Sequence, residues 1–230
     1  MKEIIKNVIK HFPLMGDVIW KLRSIVRKPK PFPPGSAAYW EDRYAADGNS
    51  GAGSYGIFAS FKADILNDFV NTHDVKTVIE FGCGDGNQLG LVKYPVYTGF
   101  DVSSSVVSRC SELYKSDTTK SFRLLGDYNG DKAELVLSLD VIYHLVEDSV
   151  FEDYMRRLFS TSDRYVIIYS SDTDLNQGYE GTYIKHRKFT KWVKKNFKDW
   201  KLVKHIPNKY PYQGDYRTGS FADFFIYEKS

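Results

Sequence analysis

VIEFGCGDGNQLG, residues 78 to 90, restricts the fold more than any other stretch of the chain. Val78, Ile79 and Phe81 read as a buried strand, and glycines follow at 82, 84 and 86. Glycine at a strand-to-helix turn costs stability. In exchange it allows a tight turn and a close ligand approach free of Cβ contact. The flanking pattern extends this unit. KTVIEF, YTGFD, SFRLLGDY, AELVLSLD and RYVIIYSS read as strands. The spacings of FKADILNDFV, SSSVVSRCSELY, SVFEDYMRRLF and RKFTKWVKKNF predict helices, and GNQLGLV a short one. WKLVKHI and SFADFFIYE are strands with no helical pattern between them. Strands alternating with helices predict an α/β, Rossmann-like, doubly wound sheet with helices on both faces. The sheet is mostly parallel, and the last two strands pair antiparallel at one edge.

Ligands of such sheets bind outside the carboxyl ends of the strands, at the topological switch point. A dinucleotide fingerprint needs glycine at 87, where the chain has Asn87. Asp85 would repel a pyrophosphate. The carboxylates Glu80 and Asp85 suit a ligand with positive charge and hydroxyls, and the helix N-terminus expected after the loop adds free N–H groups. Asp101 ends YTGFD, fifteen residues past Gly86, where a carboxylate takes both hydroxyls of a ribose. A nicotinamide oxidoreductase fails on Asn87 and Asp85. No His, Cys and carboxylate cluster has metal-ligand spacing, so no metal is expected.

VIEFGCGDGNQLG with YTGFDVS resembles motifs I and II of the class I S-adenosylmethionine-dependent methyltransferases, and the resemblance spans roughly residues 39 to 228. It implies S-adenosylmethionine as cofactor. Gly82, Gly84 and Gly86 would line its methionine part with Glu80 nearby, and Asp101 would hold the ribose. Asp127 and Tyr128 would lie near the adenine, and Asp140 near the methionine amino group. YWEDRY, GNSGAGSYG, FKADILNDFV, SLDVIYHLVED, HRKFTKWV and SFADFFIYEK are similar to methyltransferases found with bacterial surface-polysaccharide genes. That narrower resemblance implies an acceptor on capsule or O-antigen sugars, either a hydroxyl or a phosphate-type group.

Positioning supplies most of the acceleration in methyl transfer. A hydroxyl acceptor also needs a base, and His144, four residues past Asp140, is the first choice. A phosphate or phosphoramidate acceptor needs cations instead, and Lys185, His186, Arg187 and Lys188 supply them. Of these, His186 and Arg187 are the substrate candidates; Tyr143 beside His144 joins them. The segment 39 to 56 reads as a lid with glycine hinges at 48, 51, 53 and 56. Within it Tyr39, Tyr44 and Tyr55 face the acceptor and Arg43 meets the methionine carboxylate.

The charge of the 230-residue chain is unevenly spread. Residues 1 to 30 carry a net charge of +6, residues 31 to 184 −11 and residues 185 to 210 +9. Ile4, Ile5, Val8, Ile9 and Phe12 form an apolar stripe opposite basic residues, a pattern that lies on anionic membranes, docks on a partner or covers its own domain. We therefore divide the chain into an amphipathic basic helix with a Pro-rich linker (1–35) and a methyltransferase domain (36–230). Only Cys83 and Cys110 are present, which points to a reducing compartment. Neither a signal peptide nor an 18-residue apolar run is visible. The expected location is the cytoplasm, with peripheral contact at the inner membrane through residues 1–30. The basic ends also admit nucleic acid, which is disfavoured because no Asn-Pro-Pro-Tyr type signature is present. A non-catalytic cofactor-binding module is the remaining alternative.

Overall fold

The computed structural model describes residues 35–179 and 182–230; the expected N-terminal helix lies outside the described residues. Seven strands form one sheet: β1 (Thr77–Phe81), β2 (Val96–Asp101), β3 (Lys120–Leu124), β4 (Ala133–Leu139), β5 (Ser162–Ser170), β6 (Trp200–Ile206) and β7 (Asp223–Lys229). Five helices accompany them among the described residues: α1 (Ser36–Ala45), α2 (Gly56–Thr72), α3 (Ser104–Leu113), α4 (Asp148–Thr161) and α5 (Phe189–Asn196).

The strand order is β3-β2-β1-β4-β5-β7-β6. β1 to β5 pair in parallel, and β7 runs antiparallel to both β5 and β6. This is the expected sheet. No crossover helix separates β6 from β7, so the chain can only return antiparallel. From β1 the chain builds outward to β2 and β3, then returns to place β4 on β1's other flank. The carboxyl ends of β1 and β4 therefore part at a switch point.

Side-chain alternation along the strands feeds two cores. Leu135, Leu137 and Leu139 of β4 pack with Ala63, Leu66, Phe69 and Val70 of α2. Val136 of β4 and Ile168 of β5 face the other way, onto Met155, Leu158 and Phe159 of α4 and Phe189 and Val193 of α5. A small third cluster joins Tyr44 of α1 to Val106 and Cys110 of α3. Both cysteines are free and buried. No helix among the described residues is long and apolar enough to cross a membrane.

One expected element is missing. GNQLGLV forms turns and a single 3-10 turn, Leu89–Leu91, instead of a helix. Gly86 and Gly90 each cost about 1 kcal/mol in a helix, which leaves too little propensity in so short a segment. The helix-dipole contribution expected after the glycine loop is therefore absent.

Candidate active site

A cavity of about 310 Å³ opens at the carboxyl ends of β1, β2 and β4. Its floor is the glycine loop and the strand ends. Its roof is α1 and the loop that follows it, through Ser36, Trp40, Tyr44, Ser50 and Ser54.

The glycine loop is shaped by backbone that other residues resist. Gly82 and Gly84 sit at φ 80° and 58°. A Cβ on Gly82 would lie 2.5 Å from Val141 Cγ2, and one on Gly84 2.4 Å from Ser50 Oγ. Asp101 is buried beneath this loop. One of its oxygens accepts from Gly84 N–H and the other from Ser103 N–H, each at 3.0 Å. Burial raises its pKa to about 6, against the lowering effect of those bonds. Each oxygen keeps a lone pair for a hydroxyl in the cavity that Asp101 lines. Glu80 also lines it; burial raises its pKa to about 7, and Tyr97 Oη donates to it at 2.8 Å.

Asp85 does not face the ligand space, contrary to expectation. Its carboxylate accepts from Ser50 N–H at 2.7 Å, Tyr55 Oη at 2.8 Å and Asn87 N–H at 3.1 Å. It is the anchor that ties the roof to the glycine loop. The same bond spends the Tyr55 hydroxyl, whose pKa burial and Asp85 raise to about 12. Two further latches hold the roof. Glu147 accepts from Ser36 N–H at 2.8 Å and from its hydroxyl at 2.5 Å. Glu41 accepts from Ser105 Oγ at 2.6 Å, beside the N-terminus of α3.

Lys62 also faces this cavity, with no local signal in the sequence. Its side chain is 1% exposed and its ammonium lies 2.7 Å from Asp140 Oδ2. Asp140 holds a left-handed φ of 60° just past β4, and its other oxygen accepts from Tyr143 Oη at 2.8 Å. Lys62 and Asp140 both line the cavity, as does Gln88, whose buried Oε1 has no hydrogen-bond partner among the described residues. Lys62 looks like one more polar position on the amphipathic face of α2, and only the fold shows that it points inward.

His144 stands on a 3-10 turn after β4 and lines the cavity. Its Nδ1 lies 2.9 Å from the carbonyl of Tyr183. A carbonyl only accepts, so Nδ1 carries the proton and the neutral ring keeps its lone pair on Nε2. Burial lowers the pKa of His144 below the usual imidazole value. Trp40 packs edge-on against the ring, with centroids 5.0 Å apart.

The remaining expected site residues divide. Tyr44 lines the cavity, with its hydroxyl 3.0 Å from Ser50 Oγ. Tyr143 lies behind Asp140. Arg43, expected at the methionine carboxylate, instead donates to the backbone and side chain of Asn49 at 2.6 and 3.2 Å and lies outside the cavity lining. Tyr39 stacks on Tyr183 with centroids 3.9 Å apart. Asp127 is exposed, and Tyr128 packs on Phe81 and Phe100 with its hydroxyl on Thr161; neither lines the cavity. That end is lined instead by Val102, Leu125, and Asp153 and Arg157 of α4. Gly86 also stays outside the lining, with its carbonyl accepting from Tyr114 Oη at 2.8 Å. His186 belongs to a second cavity. Arg187 is spent on structure: it donates to the carbonyls of Leu145 and Val146 at 2.7 and 3.1 Å and to Asp148 at 2.8 Å. It is therefore not free to serve as the acceptor cation that the sequence led us to expect.

No protein-family model matches the chain, and no curated protein matches it. Solved structures do. The N-methyltransferase NodS from Bradyrhizobium japonicum WM9, in complex with S-adenosyl-L-homocysteine, superposes with a TM-score of 0.66 at 13% identity, over 85% of this chain and 98% of that one. Magnesium protoporphyrin IX methyltransferase (ChlM) from Synechocystis PCC 6803 with bound S-adenosylmethionine gives 0.59 at 14%, over 85% and 97%. The methyltransferase domain of bacterial CtHen1 gives 0.56 at 19%, over 74% and 97%. The chain has the class I methyltransferase fold that these structures share.

Proposed function

We propose that this chain is an S-adenosylmethionine-dependent methyltransferase acting on a small-molecule or glycan acceptor, with a sugar hydroxyl as the methylated group. One observation carries the reading: the glycine loop, Asp101, the Lys62–Asp140 pair and a neutral His144 all converge on one cavity at the switch point. Two of the structural neighbours were crystallised with S-adenosylmethionine or S-adenosylhomocysteine.

The residues suit that cofactor. Gly82 and Gly84 line the cavity with bare backbone, at positions where a Cβ would collide with Val141 and Ser50, and among the described residues Gln88 Oε1 is a buried acceptor without a donor. Asp101 would take the ribose hydroxyls. Lys62 would meet the amino-acid carboxylate, and Asp140 with Gln88 the ammonium. When bound, S-adenosylmethionine supplies a methyl group activated by its sulfonium. His144 Nε2 would take the proton of the acceptor hydroxyl, and the latched roof would exclude water. The surface-polysaccharide resemblance favours a sugar as the owner of that hydroxyl. A methyl-transfer screen against nucleotide sugars and phosphorylated sugars tests the reading directly; no transfer to any of them removes the glycan acceptor.

Asp101 gives an independent test by calorimetry with S-adenosylhomocysteine. An ionised carboxylate is the better acceptor, so affinity should rise as pH climbs through about 6, where Asp101 loses its proton. Asp101→Asn keeps the shape but weakens each hydroxyl contact, at a cost of roughly 1.5–3 kcal/mol for a charged bond. The step near pH 6 should vanish in the variant. Equal affinities and equal pH profiles would remove Asp101 from the ribose site.

A further inference from the structure

The carboxyl edge of the sheet carries a second cavity, about 590 Å³, beyond β5. Its walls are Ser171, Asp172 and Thr173 after β5, His186 and Lys188 ahead of α5, and His205 and Asp223 where β6 ends and β7 begins. Tyr143 stands between the two cavities. Its ring centroid is 4.5 Å from that of His144, which lines the first. It is 5.0 Å from Phe221 and 6.3 Å from His186, which line the second. One aromatic side chain thus separates the proposed base from this space.

His186 is 4% exposed. Its Nδ1 lies 2.7 Å from Ser171 Oγ, and its Nε2 makes no hydrogen bond among the described residues. That nitrogen is not sealed in the interior, so it can meet a polar group of a ligand in the cavity. Burial lowers the pKa of His186, so it is neutral at pH 7 and offers no charge to an anion.

The other walls decide the ligand's chemistry. Among the described lining residues Asp172 and Asp223 face one lysine, Lys188, 3.5 Å from Asp172; Asp172 also accepts from Thr190 N–H and Oγ1 at 3.0 and 2.7 Å, and Asp223 from Asn208 N–H at 2.8 Å, which leaves each carboxylate spare lone pairs. His205 is bonded to Asp223 at 2.8 Å. A phosphate or carboxylate would meet more negative than positive charge here. Tyr179, Phe221 and Phe225 contribute aromatic surface to the same walls. Carboxylate lone pairs, an imidazole nitrogen and aromatic edges together suit a ring with hydroxyls on its rim and C–H groups on its faces.

We propose that this cavity is a specificity subsite of the acceptor and takes an uncharged, hydroxyl-bearing sugar ring next to the one that reacts. The proposal rests on the methyltransferase reading above and specifies its substrate. The test is saturation-transfer NMR on the full chain with S-adenosylhomocysteine present, using methyl α-glucopyranoside, methyl α-galactopyranoside and, as the anionic comparison, glucose 6-phosphate. At least one methyl glycoside should show transfer, and glucose 6-phosphate less. His186→Phe removes the free nitrogen, and Thr173→Trp fills the cavity from its rim. Each should weaken glycoside binding by about tenfold or more, the scale of one lost buried contact. Calorimetry should show their S-adenosylhomocysteine affinity unchanged. No transfer from either glycoside, stronger transfer from glucose 6-phosphate, or undiminished binding in both variants overturns the proposal. If S-adenosylhomocysteine itself does not bind the wild type, the methyltransferase reading falls, and glycoside transfer without it still judges the cavity.

Discussion

His144→Ala is expected to lower kcat by roughly 10²–10⁴ while leaving S-adenosylmethionine affinity intact. The size is that of losing a positioned general base. Burial lowers the His144 pKa, and only the neutral ring accepts a proton. The rate should therefore rise with pH on a limb below the usual imidazole value and stay level through neutrality. The Tyr183 carbonyl fixes the proton on Nδ1, so Nε2 is ready without rearrangement. Single-turnover kinetics across pH 5 to 8, on the wild type and on the variant, would check both statements. A nearly active His144→Ala enzyme with no acidic limb would mean that no base is needed, as with a phosphate-type acceptor. That alternative has become harder to support, because Arg187, its best cation, is bound to two carbonyls and Asp148.

Much of this was legible in the sequence, and the boundary has physical causes. The sheet was readable because each strand carries its own apolar run and each helix its own period. Asp101, Gly82 and Gly84 were readable because their position relative to a strand end is set by local sequence. His144 was readable on the same ground, being close to the end of β4. Asp85 and Arg187 misled because their charge is visible in sequence but their partners are not. Asp85 meets Ser50, thirty-five residues away, and Arg187 meets Asp148, thirty-nine away. Arg43 misled for a related reason: a local loop, with Asn49, claims its guanidinium before any ligand can. The missing helix after the glycine loop reflects a conflict between the alternating strand–helix pattern and the weak propensity of GNQLGLV. Lys62 was invisible because burying a lysine defies its usual preference, and nothing local signals the exception.

Lys62 is also where the largest stability effect is expected. Lys62→Met would leave Asp140, whose side chain is 13% exposed in the intact pair, with Tyr143 as its remaining side-chain partner among the described residues. Breaking a buried pair on one side costs about 3–5 kcal/mol, because the surviving charge is stranded. In a domain of this size that lowers Tm by roughly 2–4 °C for each kcal/mol. Lys62→Met with Asp140→Asn removes both charges and retains an acceptor for the Tyr143 hydroxyl, so most of the loss should be recovered. The double variant separates two roles that the single one confounds. If the pair is a frame only, restoring stability restores S-adenosylhomocysteine affinity as well. If Lys62 and Asp140 read the two ends of the amino-acid tail, the double variant should melt near the wild type yet bind at least tenfold more weakly, the loss of about 1.4 kcal/mol or more. We expect the second result, because a lysine this deeply buried keeps two of its three donors for the cavity it lines.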